Sequence, residues 1–233
     1  MSFKPLIYKR GDFTLECYVC AKCGGSTLED WFKKLKDIEF SGPPKKYSFL
    51  VTRNPFIRLH SFYSDKIVKR NFVKKTGNLL FLQESSRFGS SGDVIEGCSF
   101  RTLVNSIYEY HPHNKLEAHL EGQVEHLGLG SDYQKMFDSI VRLESFREDM
   151  TKVCKETNIP ASSILDMQVG ASNKVSGNFE NVSDLVREDF LKLGGVPKDY
   201  TAFYDDDIRK KVEKIYENDL KLLGYTFENK HAT

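Results

Sequence analysis

The chain has 233 residues, 39% of them hydrophobic and 29% charged, which excludes a disordered segment and leaves an ordinary globular protein long enough to bury a core. Its net charge of +1 argues against a dedicated nucleic-acid binder, which carries a strongly basic face. No apolar run is long enough for a transmembrane helix, and the start, MSFKPLIYKRGDF, lacks the apolar stretch of a signal peptide.

Thr14 to Ala21 (TLECYVCA) reads as a buried strand ending in a turn. Leu28, Trp31, Phe32 and Leu35 then recur at helical spacing, with Ser26 or Thr27 as the expected cap. Pro43 and Pro44 mark a loop, and Tyr47 to Thr52 (YSFLVT) reads as a second core strand. A second helix opens with Pro55 in its first turn and an apolar stripe of Phe56, Leu59, Tyr63 and Ile67. Gly77 to Gly97, rich in Gly and Ser, reads as a long excursion. Phe100 to Tyr110 reads as a helix, Ser139 to Leu143 as a third core strand, and Phe146 to Thr157 as another helix. Gly170 to Asn181 is loop-like. A closing helix runs from Asp205 to about Leu223, with Ile208, Val212, Ile215 and Tyr216 turned inward. Strand followed by helix, repeated, predicts an α/β fold of three layers, a central parallel sheet flanked by helices. Ligands of such sheets bind at the carboxyl ends of the strands.

Two segments sit at such ends. In Cys20-Ala-Lys-Cys-Gly-Gly-Ser-Thr-Leu, a strand passes into an amphipathic helix. Gly24 and Gly25 allow a close backbone approach, and the N–H groups and dipole of the helix start favour an anion. Ser26 and Thr27 add hydroxyls and Lys22 a charge, so the segment predicts a phosphate cradle. It is no Walker A motif, because the lysine precedes the glycines. A nucleoside triphosphate needs a metal across its phosphates, whereas a phosphosulfate carries less charge and can be held by lysine, hydroxyls and amides. The plainer reading is a Gly-Gly turn with a solvated lysine. In the second segment, Arg53-Asn-Pro-Phe-Ile-Arg-Leu-His-Ser61, Arg53 directly follows a core strand, and Ser61 lies on the next helix, on the side shared by Asn54 and Ile57. An arginine fork with a hydroxyl suits a phosphate monoester. A surface arginine and an ordinary helix serine are the commoner fate of such residues.

The two segments resemble the paired nucleotide motifs of the Golgi-type carbohydrate sulfotransferases, the group that includes the chondroitin and dermatan enzymes. Lys22-Cys-Gly-Gly-Ser-Thr27 resembles the family's phosphosulfate loop, and the Arg53 segment resembles its arginine-aspartate-proline-phenylalanine motif. His119-Leu-Glu-Gly-Gln123 resembles the H-W-x-P-Q element, Ser139 to Met150 resembles a strand and helix of the family, and Tyr204 to Tyr225 resembles its closing helix. Ala21, Asn54 and Leu120 depart from the usual proline, aspartate and tryptophan. The resemblance implies a single sulfotransferase domain over residues 1–233, related to the P-loop nucleotide-binding folds, with 77–130 as an insertion facing the acceptor. It implies 3′-phosphoadenosine 5′-phosphosulfate as donor, no metal, and a hydroxyl acceptor on a glycan or glycosylated small molecule. Lys22, Cys23, Gly24, Gly25, Ser26 and Thr27 then hold the 5′-phosphosulfate, with Lys22 also catalytic, while Arg53 and Ser61 hold the 3′-phosphate. Asn173 and Lys174 match a donor-contacting loop more loosely.

Transfer to a hydroxyl needs a base, and His119 is the first candidate because a neutral imidazole suits that task near pH 7. A structural histidine is its plainer reading, and Glu125 and His126 are the runners-up. His111 and His113 form an H-P-H that is weak as a metal site. Cys17, Cys20 and Cys23 have metal-like spacing but lack a fourth ligand nearby, and a spacing of three on one strand points side chains to opposite faces. With five cysteines and no disulfide scaffold, the expected setting is a reducing cytoplasm, or the Golgi lumen if an N-terminal anchor has been removed. Two other readings stay open: a P-loop kinase-like enzyme, and a non-catalytic module that binds the donor or its bisphosphate product.

Overall fold

The computed structural model describes residues 4–41, 46–70, 97–111, 116, 118–167 and 174–228. In chain order its elements are β1 (Leu6–Arg10), β2 (Phe13–Val19), α1 (Gly25–Lys34), β3 (Lys46–Thr52), α2 (Pro55–Phe62), α3 (Phe100–Tyr110), α4 (Gln123–Leu127), β4 (Ser139–Arg142), α5 (Phe146–Thr157), β5 (Lys174–Val175), α6 (Arg187–Lys192), β6 (Val196–Pro197), α7 (Asp206–Ile215) and α8 (Glu217–Leu223). The fold is mixed α/β, with a central sheet flanked by helices. Backbone contacts divide it into two compact units, one of residues 1–54, 123–170 and 221–233, the other of 55–122 and 171–220.

The first unit holds the four-stranded sheet, ordered β1-β2-β3-β4. β2, β3 and β4 run parallel, with Val19 opposite Val51 and Thr52 opposite Arg142. β1 pairs antiparallel with β2 through a tight turn in which Gly11 adopts φ 53°, an edge strand that the apolar pattern did not announce. Side chains alternate faces along a strand. Phe13, Leu15 and Cys17 of β2 and Tyr47, Phe49 and Val51 of β3 accordingly enter one core. That core also takes Leu28, Trp31 and Phe32 of α1 and Phe146, Met150 and Val153 of α5. Trp31 is 1% exposed, and its indole N–H donates to Ser163 Oγ at 3.0 Å, so its one polar atom is satisfied.

The second unit packs α2, α3, α6 and α7 around aromatic rings. Phe100, Phe190, Phe203 and Tyr63 meet at centroid distances of 5.3 to 6.1 Å. α2 was expected to carry one apolar stripe, yet every residue from Pro55 to Phe62 is buried, Arg58, His60 and Ser61 included. A helix wrapped on all sides offers no solvent face for polar residues, so these must find partners inside. The helix continues in π form over Tyr63–Lys69. The closing helix is two helices, α7 and α8, broken at Tyr216, and its four expected core residues are buried. The loop expected over 170–181 contains β5, which pairs parallel with β6. Of the expected 77–97 excursion, only Gly97 falls within the described residues.

Candidate active site

β2 ends at Val19, and the chain turns through Cys20 to Cys23, closed by a hydrogen bond from Cys23 N–H to Cys20 C=O at 3.1 Å. Lys22 sits in this turn at φ 67°, a left-handed conformation that costs a non-glycine residue about 1–3 kcal/mol. Arg53 holds it there, donating from Nη1 to the Lys22 carbonyl at 2.8 Å. The two segments singled out in the sequence therefore meet at the carboxyl ends of adjacent parallel strands.

The cap of α1 is Gly24, not Ser26 or Thr27. Gly24 lies at φ 91° and no side chain caps the helix. A Cβ on Gly24 would also come within 2.9 Å of Leu143 Cδ1, whereas one on Gly25 would meet its nearest atom at 3.9 Å. Only the first of the two glycines is dictated by the backbone. With no side-chain oxygen at the cap, the first-turn N–H groups lack an intrahelical acceptor. No acidic residue occupies that turn, and Lys33 and Lys34 stand in the last one, while the positive end of a helix dipole favours an anion.

Gln123 ends the H-W-x-P-Q-like element. It is fully buried. Its Nε2 donates to the Arg53 carbonyl at 2.7 Å, and its Oε1 accepts from Arg53 N–H at 2.9 Å and from the Cys23 thiol at 3.2 Å. A further layer lies beneath. Glu144 accepts from Asn54 N–H at 2.9 Å and, weakly, from the Tyr225 hydroxyl at 3.4 Å, which also bonds Thr52 Oγ1 at 2.8 Å. Burial pushes the Tyr225 hydroxyl well above the ordinary tyrosine range, so it stays protonated. Asn54 Nδ2 donates to the Thr226 carbonyl at 2.8 Å. An aspartate could not make that bond, which accounts for asparagine at this place.

The remaining candidates belong to the second unit. Ser61 is buried on α2 at 8% exposure. His119 lies half-buried in the turn 118–120, its ring 6.3 Å from that of Phe62. Arg58 fixes this turn from below, donating to the carbonyls of Glu121 at 2.8 Å and Ala118 at 3.3 Å. Lys174, on β5, places Nζ 3.4 Å from His60 Nδ1. Asn173 and His113 lie outside the described residues. Glu125 and His126 are on α4, which belongs to the first unit.

All five cysteines are buried and reduced. Cys17 faces the core from β2, while Cys20 lies just past the strand end. Burial pushes the Cys98 thiol up to about 12 and Cys154 to about 11. Among the described residues, no group of three His, Cys, Asp or Glu is arranged to hold a metal ion, and no helix is long and apolar enough to cross a membrane.

A telomerase component, p95, from Tetrahymena thermophila is 25% identical over 213 residues, which is 91% of this chain and 23% of that protein. The chain thus spans about a quarter of the length of this relative. No solved structure matches. The sulfotransferase family model matches residues 17–226, from the strand that feeds the Lys22 turn to the segment that supports Asn54. With nearly its whole length and both motif-bearing strand ends inside that match, the chain belongs to the sulfotransferase family.

Proposed function

We propose that this sulfotransferase moves a sulfuryl group from 3′-phosphoadenosine 5′-phosphosulfate to a carbohydrate hydroxyl by in-line transfer. The observation that carries the reading is the bond from Arg53 Nη1 to the Lys22 carbonyl. It brings a lysine turn at a helix N-terminus and an arginine at a strand end within reach of one small anion-rich ligand.

In this reading the N–H groups of Gly24, Gly25, Ser26 and Thr27, with the last two hydroxyls, hold the 5′-phosphate; Cys23 belongs to the same loop. Lys22 stabilises the charge that builds on the bridging oxygen. Arg53 and Ser61 hold the 3′-phosphate, with Lys174 and Asn173 as further donor contacts. The acceptor oxygen forms a bond to sulfur as the bond from sulfur to the bridging phosphate oxygen breaks. His119 takes the hydroxyl proton, and the 3′,5′-bisphosphate leaves. The whole chain is read as one catalytic module. The carbohydrate acceptor rests on the resemblance of the five ordered motifs to the Golgi-type enzymes.

Calorimetry with adenosine 3′,5′-bisphosphate and with ATP, without added metal, tests the donor. Binding of the bisphosphate and not of ATP is the expected result, and preference for ATP would move the chain to the kinase-like reading. Transfer of radiolabelled sulfate from the donor to pooled glycans tests the acceptor. Tight bisphosphate binding with no transfer to any hydroxyl acceptor would leave the non-catalytic module.

A further inference from the structure

β3 runs one residue past β2 and ends level with β4. β2 ends at Val19, opposite Val51, and β4 ends at Arg142, opposite Thr52. Arg53 is thus the first residue of this chain direction whose backbone has no strand beside it. A half-buried peptide there must still satisfy its N–H and C=O. The Gln123 side-chain amide does both, accepting from Arg53 N–H at 2.9 Å and donating to Arg53 C=O at 2.7 Å. It acts as a one-residue substitute for the missing strand.

The same Oε1 also accepts from the Cys23 thiol at 3.2 Å. Cys23 is next to Lys22, whose carbonyl accepts from Arg53 Nη1. The bonds close a ring: Gln123 to Arg53, Arg53 to Lys22, Lys22 through one peptide to Cys23, and Cys23 back to Gln123. Gln123 is the only member of this ring that comes from neither of the two motif segments.

We propose that Gln123 is a positioning residue for the sulfuryl donor, setting the separation between the Lys22 turn and Arg53 through its three side-chain hydrogen bonds. This rests on the donor reading given above. The group required is an amide and not a carboxylate. A glutamate of the same shape keeps an acceptor for Arg53 N–H and the Cys23 thiol, but sets an oxygen against the Arg53 carbonyl and loses the donor. An amide also adds no charge beneath a site that takes an anion.

The test is Gln123→Glu on the full chain, read by calorimetry with adenosine 3′,5′-bisphosphate, steady-state kinetics in the donor, and thermal denaturation. The expected affinity of the folded variant is roughly 10-fold weaker than wild type, with donor KM raised and kcat lowered together because Arg53 and Lys22 are displaced together. A merely structural role would lower the melting temperature and leave the affinity of the folded fraction intact, and that result overturns the proposal. Should Gln123→Glu not fold, Gln123→Met carries the test. It keeps the side-chain length but neither hydrogen-bonding group, so its folded fraction should bind roughly 10-fold more weakly than wild type, and binding equal to wild type overturns the clamp. A wild-type chain that binds no bisphosphate overturns the donor reading itself. A wild-type chain that binds while Gln123→Glu binds equally well overturns only the role of Gln123.

Discussion

Lys22 reaches its place through one carbonyl and one unfavourable dihedral. If its ammonium stabilises the departing bridging oxygen, Lys22→Ala should lower kcat by about 100- to 1,000-fold, the size of effect seen for a lost oxyanion donor, with little change in melting temperature. Single-turnover sulfate transfer measures it. The neighbouring glycines separate folding from binding. Gly24→Ala places a methyl against Leu143 at a left-handed backbone position and should cost about 1–3 kcal/mol in denaturant unfolding. Gly25→Ala meets only ordinary contact and should leave stability within about 0.5 kcal/mol, while weakening bisphosphate binding if that backbone cradles the phosphate. Asn54→Asp restores the residue usual in the resembling family but turns a donor into a second acceptor facing the Thr226 carbonyl. It should destabilise the chain by about 1–3 kcal/mol through the unmet bond, measured by chemical denaturation. An unchanged midpoint would show that the segment around Thr226 can give way.

Among the elements, α7 has an N-terminal anchor that is sensitive to pH. Asp205 caps it, accepting from Ile208 N–H at 2.9 Å, and Arg101 of α3 donates to Asp205 at 2.6 Å and to Asp184 at 2.7 Å. The bond from Arg101 holds the Asp184 carboxyl below its usual range. For Asp205, burial pulls upward, but Arg101 and the helix N–H outweigh it and the net direction is down. A carboxylate with a lowered folded value contributes stability above its unfolded value, near pH 3.9, and loses it as pH falls through the folded value. Acid should therefore erode the anchoring of α7 below about pH 4, seen as loss of amide protection in α7. Arg101→Leu should reduce that pH dependence to the part carried by the helix N–H bond to Asp205, while leaving the neutral-pH fold in place. Both carboxylates are solvent-accessible, so the effect is small and shrinks with salt.

At the scale of the whole molecule, a ligand that binds only the folded chain must raise its melting temperature. At a bisphosphate concentration about 100 times Kd the gain is about 2.7 kcal/mol, or roughly 5–11 °C for a chain of this size. ATP at the same concentration should produce no comparable shift. Scanning fluorimetry with both nucleotides reads this directly, and equal shifts would remove the 3′-phosphate from the account.

The elements of the core were legible because their signals are local. Apolar runs announced β2 and β3 as core strands, and helical spacing announced α1, whose inward Leu28, Trp31 and Phe32 are buried in the structure. The Lys22 turn and Arg53 stood out for the same reason, each being a short motif at a strand end. Local signals also mislead. A Ser-Thr pair after two glycines looks like a helix cap, but the cap falls two residues before Ser26, at the left-handed Gly24. β1 was silent because LIYKR is short and puts only Tyr8 fully into the core, with Leu6 partly buried beside it.

By itself, then, the amino-acid order determined the strand–helix alternation, the apolar faces and the two motif segments at the strand ends, since each depends on residues a few positions apart. Only the tertiary structure decided that α2 is buried on every side, that Asn54 needs an amide, and that Gln123 ties Arg53 to Cys23. Those facts depend on pairings 70, 100 and 172 positions apart along the chain, where a buried polar group must find whatever partner the packed fold brings to it, and no periodicity records which partner that will be.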